Sequence, residues 1–170
     1  MMNRRTGIPI RPPALTTERT TRPLGYPMPS SSAASKVMQG NRSRDSQPEL
    51  QLRSALHQRG LRFRKHQPIR LPQLLVRPDI VFTRCRLAIF VDGCFWHGCP
   101  DHGTQPRVNT DYWKAKLARN RDRDLLVSRV LAEHGWLVLR FWEHERVDEV
   151  ADYVAILLSP QPLGRSSPNA

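Results

Sequence analysis

Between Val91 and Gly103 the chain reads VDGCFWHGCPDHG, which brings two thiols, two imidazoles, two carboxylates and two aromatic rings into one short stretch. Two chemistries lay claim to it. Cys94, Cys99 and His102 have the spacing of a soft, tetrahedral zinc site that lacks its fourth ligand. His144, in FWEHE, is the preferred fourth, because the strand before it can deliver it to the knuckle; His97, Asp101 and Cys85 are the rivals. The second chemistry uses Asp92 and Asp79, the latter directly after Pro78. Adjacent strands can bring these carboxylates to one sheet edge, an arrangement that is costly unless a divalent cation neutralises it. Mg²⁺ prefers such hard oxygen ligands and, beside a phosphodiester, polarises the phosphate. His97 is then the general base toward an attacking water, since a histidine ordinarily titrates near neutrality. On spacing alone, Asp79 and Asp92 serve equally well as turn residues flanking strands.

The aromatic residues add a third function. Phe95 and Trp96 sit between two zinc candidates, and a metal-pinned loop can hold rings out of the core as a wedge between base pairs. Core packing is the alternative for such a pair. Trp113 can join them, and Lys116 and Asn120, four apart on one helix face, can reach base edges or the nucleic-acid backbone. Cys85 reads as a small buried or turn residue, and His57, His66 and His134 as surface or cap residues.

These groups need elements to place them. QPELQLRSALHQRG predicts a helix that starts near Pro48 and stops at Gly60, with Leu50, Leu52, Ala55 and Leu56 on its apolar face. LRFRKHQPI alternates apolar and basic residues as a strand or extended edge. RPDIVF and RLAIFVDG, separated by TRC, predict a β-hairpin at the sheet centre. A long helix follows, capped at Asn109 or Thr110 and stopping before Gly135, with Trp113, Leu117, Val127, Val130 and Leu131 on its buried face. WLVLRFW predicts a strand covered on both sides, and a last helix spans about 147–158. The order predicts an α/β sandwich.

Of the 170 residues, 45–158 form the expected folded unit. Residues 1–44 are rich in Arg, Pro, Ser and Thr, as a disordered basic arm is, and 159–170 read as a frayed tail. The arm carries eight Lys/Arg against the single acid Glu18, the tail adds Arg165, and +4 of the total +12 remains for the domain between them. A basic arm beside a basic domain suits a polyanion, most often nucleic acid. The sequence contains no transmembrane run or secretory segment. Three cysteines, two of them clustered with histidines, favour metal over disulfides and a reducing cytoplasm.

RDSQPELQLRSALHQRGLRFR, RPDIVF, FVDGCFWHGCPDHG, NTDYWKAKLARNRDRD and GWLVLRFWEHE together resemble the very short patch repair (Vsr) DNA mismatch endonucleases, from about Arg44 to Glu145. The resemblance implies a PD-(D/E)xK restriction-endonuclease-like fold, a central mixed β-sheet flanked by helices, with a structural zinc. It implies a magnesium-dependent enzyme that nicks 5′ of the T in T·G mismatches left by deaminated 5-methylcytosine. By similarity, Asp79 and the carbonyl of Val91 bind Mg²⁺, His97 is the base, Glu49 is an active-site acid, and Asp124 orients His97 or a metal-bound water. Phe95, Trp96 and Trp113 match intercalating aromatics, Lys116 and Asn120 mismatch-contacting positions, and Cys94, Cys99, His102 and His144 the zinc set. The sequence departs from the family pattern in having Val91-Asp92 where Thr-His is usual, so Asp92 stands as a second metal-binding acid. A double-stranded DNA substrate, a monomeric state, a MutL-type mismatch-repair ATPase as candidate partner, and a minor-groove clamp around Met38 to Arg44 complete the expectation. Two other readings remain open: a related nuclease of a restriction or mobile-element system without mismatch specificity, and a non-catalytic, zinc-supported DNA-binding module.

Overall fold

Glu49 closes the front of the first helix. Its carboxylate accepts from the Asp45 N–H at 3.1 Å, the Ser46 N–H at 3.3 Å and the Ser46 hydroxyl at 2.8 Å, which satisfies donors that a helix start leaves orphaned. Pro48 is tolerated in this turn because it has no N–H to lose. The helix is α1 (Gln47–Gln58) in a computed structural model that describes residues 44–159. The expected arm, apart from Arg44, and all but Ser159 of the tail lie outside the described residues. α1 buries Leu52, Ala55 and Leu56, but Leu50 is exposed. It stands two positions before Leu52, and residues two apart do not share a helix face.

The single strand expected over LRFRKHQPI is broken. His66 takes a left-handed φ of 49°, which ends β1 (Arg64–Lys65) and turns the chain into β2 (Ile69–Arg70). β2 pairs antiparallel with β3 (Leu75–Val76) in a separate two-stranded sheet. The hairpin forms as expected: β4 (Ile80–Phe82) pairs antiparallel with β5 (Leu87–Asp92), Ile80 opposite Ile89. β6 (Leu137–Trp142) runs parallel to β5, from Leu87 opposite Leu137 to Asp92 opposite Trp142. A parallel pair needs a long crossover. Here it comprises α2 (Cys94–His97) and the long α3 (Thr110–Glu133). The main sheet is ordered β1-β4-β5-β6, and α4 (Val147–Leu158) closes the described chain.

Alternation along β5 divides the interior in two. Leu87, Ile89 and Val91 pack with Ile80 and Phe82 against Leu52, Ala55 and Leu56 of α1 and Val150, Ala151 and Val154 of α4. Ala88 and Phe90 face the other way, with Val81, Leu131 and Val127, where Ile69 and Val76 of the small sheet complete the cluster. The protein is therefore a mixed sheet between α1/α4 and α3. β6 departs from expectation: it is an edge strand, only half-buried along its length, with Leu137 exposed. Among the described residues it has one strand neighbour, so its apolar run covers the flank of the sheet without being enclosed. α3 buries Trp113, Leu117, Val130 and Leu131, and Val127 is half-buried. It ends as read, with the His134 Nδ1 2.8 Å from the Val130 carbonyl and Gly135 at φ 76°. No described helix is long and apolar enough to cross a membrane.

Candidate active site

The chemistry gathers at the C-terminal end of β5. Pro78 is fully buried and holds Asp79 at the start of β4. The Asp79 N–H donates to the Ile89 carbonyl at 3.1 Å, and its Oδ2 accepts from the Val91 N–H at 2.8 Å. The carboxylate thus replaces a carbonyl acceptor in the ladder. Burial pushes Asp79 up to about 6; the bond from Val91 opposes this and the charge of Glu49 adds to it. A carboxylate so poorly compensated favours a hard cation.

Behind it lies a second group. The ligand atoms of Asp45, Glu49 and His66 lie within 4.8 Å of one another. The Arg53 guanidinium stands among them, with Nη2 2.5 Å from Asp45 Oδ1 and 3.8 Å from Glu49 Oε2, and Nη1 3.3 Å from His66 Nε2. Arg53 is therefore the cation of this cluster. Glu49, expected as an active-site acid, has its carboxylate committed to the α1 capping bonds, yet it lies close enough to Asp79 to raise it. His66 is not the surface or cap residue expected: its Nδ1 is 4.0 Å from Asp79 Oδ1. Nothing in its sequence spacing signals this, because the left-handed turn that places it has no marker such as glycine.

Asp92 is near enough to Asp79 for its charge to help raise it, but its own bonds go to a guanidinium. Arg140 Nε donates to its Oδ2 at 2.6 Å and Nη2 to its Oδ1 at 2.7 Å, so both oxygens that were expected to take a metal are engaged by a guanidinium. The two acids interact through their charges, but their hydrogen bonds diverge: Asp92 continues the α3-facing side of β5 toward Arg140, whereas Asp79 accepts from Val91 and lies toward His66. Beside Asp92, the His97 Nδ1 stands 2.5 Å from Asp124 Oδ2 and 3.6 Å from Asp92 Oδ1. Asp124, half-buried on α3, also meets Arg140 Nη2 at 3.1 Å. Burial works to raise Asp124, but the His97 bond and the nearby positive groups outweigh it and hold the carboxyl below its ordinary range. An ionised carboxylate only accepts, so Nδ1 carries a proton, and a neutral ring held in this way has its lone pair on Nε2. That is the tautomer of a base.

Cys94, Cys99, His102 and His144 bring their donor atoms within 4.8 Å of one another. Cys94 Sγ is 3.1 Å and Cys99 Sγ 3.8 Å from His144 Nδ1, and Cys99 Sγ is 3.9 Å from His102 Nδ1. Tetrahedral zinc, with bonds of about 2.3 Å to sulfur and about 2.0–2.1 Å to nitrogen, sets such atoms about 3.6 Å apart. The residues fit that ion. The rivals His97 and Asp101 fall outside the group, and Cys85 is exposed in the hairpin turn. Burial, aided by Cys99 and Glu143, pushes the Cys94 thiol up to about 11. Glu143, which the sequence reading did not single out, accepts from the Cys94 N–H at 2.7 Å. The knuckle is tight: the Gly103 N–H reaches the Cys99 carbonyl at 2.8 Å, and any side chain at 103 would strike that carbonyl.

The aromatic residues form one cluster beside the knuckle. Phe95 lies 5.0 Å from Trp96 and 5.3 Å from Trp113, ring centre to centre, and Tyr112 joins at 5.3 Å from Trp113. Trp113 is buried and underlies the others, whereas Phe95 and Trp96 are half-buried at the rim. Lys116 Nζ stands 5.5 Å from the Trp96 ring centre and 5.9 Å from that of Trp113. Asn120 Nδ2 donates to the Trp96 carbonyl at 2.9 Å, so this side chain braces the α2 turn.

Residues 29–102 match the family model described as DNA mismatch endonuclease Vsr, a match that begins ahead of the domain start expected at 45. A type II nicking enzyme, V.NaeI of Lentzea aerocolonigenes, is 50% identical over 134 residues, 78% of this chain and 79% of the relative. The type II nicking enzyme V.XorIIP of Xanthomonas oryzae pv. oryzae is 43% identical over 66% of this chain and 80% of its own length. The DNA mismatch endonuclease Vsr of Escherichia coli is 39% identical over 64% of this chain and 68% of its own length. With this likeness spanning the knuckle, the Asp79 turn and the long helix, the chain belongs to the Vsr family of DNA mismatch endonucleases.

Proposed function

We propose that this protein is a magnesium-dependent DNA endonuclease that nicks one strand of a duplex 5′ of the T in a T·G mismatch, built on the PD-(D/E)xK plan. The observation that carries this reading is the His97–Asp124 pair, 2.5 Å apart, at the same strand end as the under-compensated Asp79. Asp79 and the Val91 carbonyl would hold Mg²⁺, which when bound polarises the scissile phosphate and stabilises the leaving oxygen. His97 Nε2 takes a proton from the attacking water, and Asp124 fixes the ring and stabilises the imidazolium that results. Cys94, Cys99, His102 and His144 would hold Zn²⁺ as a structural brace for the α2 turn.

Mismatch choice follows from the rim. Unstacking costs a few kcal/mol per step and least at a mispaired one, so Phe95 and Trp96, pressed in from the braced turn and backed by Trp113, favour a weakened pair. Lys116 adds a cation beside the rings. The relatives named as nicking enzymes support cleavage of a single strand. The protein acts as a cytoplasmic monomer, with a MutL-type ATPase as candidate partner.

The test is a nicking assay on matched and T·G duplexes with and without Mg²⁺. One Mg²⁺-dependent nick, on the T strand of the mismatch, is expected. Equal cutting of both duplexes would instead fit the nuclease without mismatch specificity, and tight binding with no nick the DNA-binding module.

A further inference from the structure

We infer that Arg140 is a positioning residue of the nuclease site, one that decides which acid holds His97 and so where its Nε2 points; the inference rests on the function proposed above. His97 Nδ1 has two carboxylates in range, Asp124 Oδ2 at 2.5 Å and Asp92 Oδ1 at 3.6 Å. Two acids facing one imidazole in a half-buried pocket leave the ring two competing acceptors. Arg140 removes the ambiguity. Its Nε and Nη2 grip Asp92 side-on at 2.6 and 2.7 Å, and Nη2 reaches Asp124 Oδ1 at 3.1 Å. Asp92 is thereby satisfied, and Asp124 is anchored through one oxygen and offers the other to His97.

The fold builds this arrangement into the sheet. In the parallel register Arg140 stands opposite Phe90 and Asp92 opposite Trp142, so Arg140 and Asp92 are diagonal neighbours on one face. The Phe90 ring lies 4.8 Å under the guanidinium and fixes its plane. Asp92 is 6% exposed, and a carboxylate so buried requires a partner. The acid at position 92 thus acts through its ion pair, orienting the base.

The test uses the full chain with Arg140→Gln, Arg140→Lys and the pair Asp92→Asn/Arg140→Gln. Three quantities are read: the single-turnover nicking rate on a T·G duplex with Mg²⁺, the affinity for that duplex, and the downfield proton resonance of His97 Nδ1–H, assigned by its loss in His97→Gln. Arg140→Gln should lower the rate about 100-fold, the cost of misplacing a reacting group by about 1 Å, with affinity unchanged and the resonance shifted or lost. Arg140→Lys keeps the charge without the side-on grip and should fall between, which keeps the question open to test if the glutamine variant does not fold. The double variant, relieved of the orphaned carboxylate, should recover about tenfold over Arg140→Gln and restore the resonance. Wild-type rate and resonance in either single variant, or no recovery in the double variant, would overturn the inference. Should the wild-type protein nick no duplex, the function proposed above falls, and the resonance still judges Arg140.

Discussion

Asp79 makes the folded protein pay for its site. Its carboxyl is raised to about 6 from an ordinary 3.8, so the unfolded chain releases this proton first as pH rises. Stability from this group is therefore fully present below about pH 4, falls through the interval, and by pH 7 is lower by about 3 kcal/mol. Asp79→Asn should be more stable than wild type by up to that amount at pH 7.5 in magnesium-free buffer, with no advantage near pH 3.5, and should not nick. Urea unfolding at both pH values decides it, and equal stability throughout would remove the argument from burial. Asp124→Asn should fold and bind DNA while nicking about 10²–10⁴-fold more slowly, because an amide can set the wrong imidazole tautomer; single-turnover rates on a T·G duplex are the measure. That Asp79 stands at the head of a buried strand and His97 within a dense cluster was legible in the sequence, although turn punctuation at Asp79 left a merely structural role equally open there. The partner of Asp92 was not, since Arg140 lies 48 residues away and looks like an ordinary interruption of an apolar strand.

Among the elements, the α2 turn depends most on groups outside itself. It is four residues long, closes on Gly98 in the left-handed region and is held by His144 from beyond β6. Cys94→Ser should lose zinc and, with it, cooperative unfolding, seen as a flattened thermal transition with a matching fall in metal content. With its thiol raised to about 11, Cys94 stays protonated until a metal takes it. Zinc binding at pH 7 should therefore release at least one proton, measured by titration calorimetry in buffers of different ionisation enthalpy. Trp96→Ala should bind matched and T·G duplexes nearly alike, shrinking the ratio of their nicking rates, while leaving the Trp113-backed core folded. The hairpin, α3 and α4 were legible because each carries its own period and stop signals. The break at His66 and the half-exposure of β6 were not: the first depends on a backbone angle without a glycine to announce it, the second on which strand ends at the sheet edge, a property of topology that no apolar run encodes.

At the scale of the molecule, charge separates from chemistry. The 45–158 unit carries a modest excess of base, and most of the +12 lies ahead of it. Deleting residues 1–28, which lie before the family match, removes five arginines. That variant should bind DNA more weakly and with a shallower dependence on salt, because fewer counterions are released; its nicking rate on a fully bound T·G duplex should be unchanged. Titrations at several salt concentrations read the slope. The layered plan was legible from the order of helical and strand periods, whereas the small second sheet was not, since strands of two residues leave no period to detect. One feature of the plan constrains how such a protein can diverge. β5 and β6 lie side by side in register, with the aspartate that ends one strand opposite the tryptophan that ends the other. Inserting a single residue into β6 would slide Arg140 off its acid and carry His144 away from the sulfurs in the same stroke, and no lone substitution could repair both. Length drift should thus be barred from this strand pair and admitted in the stretch between Gly103 and Asn109, where the chain can lengthen without resetting either alignment.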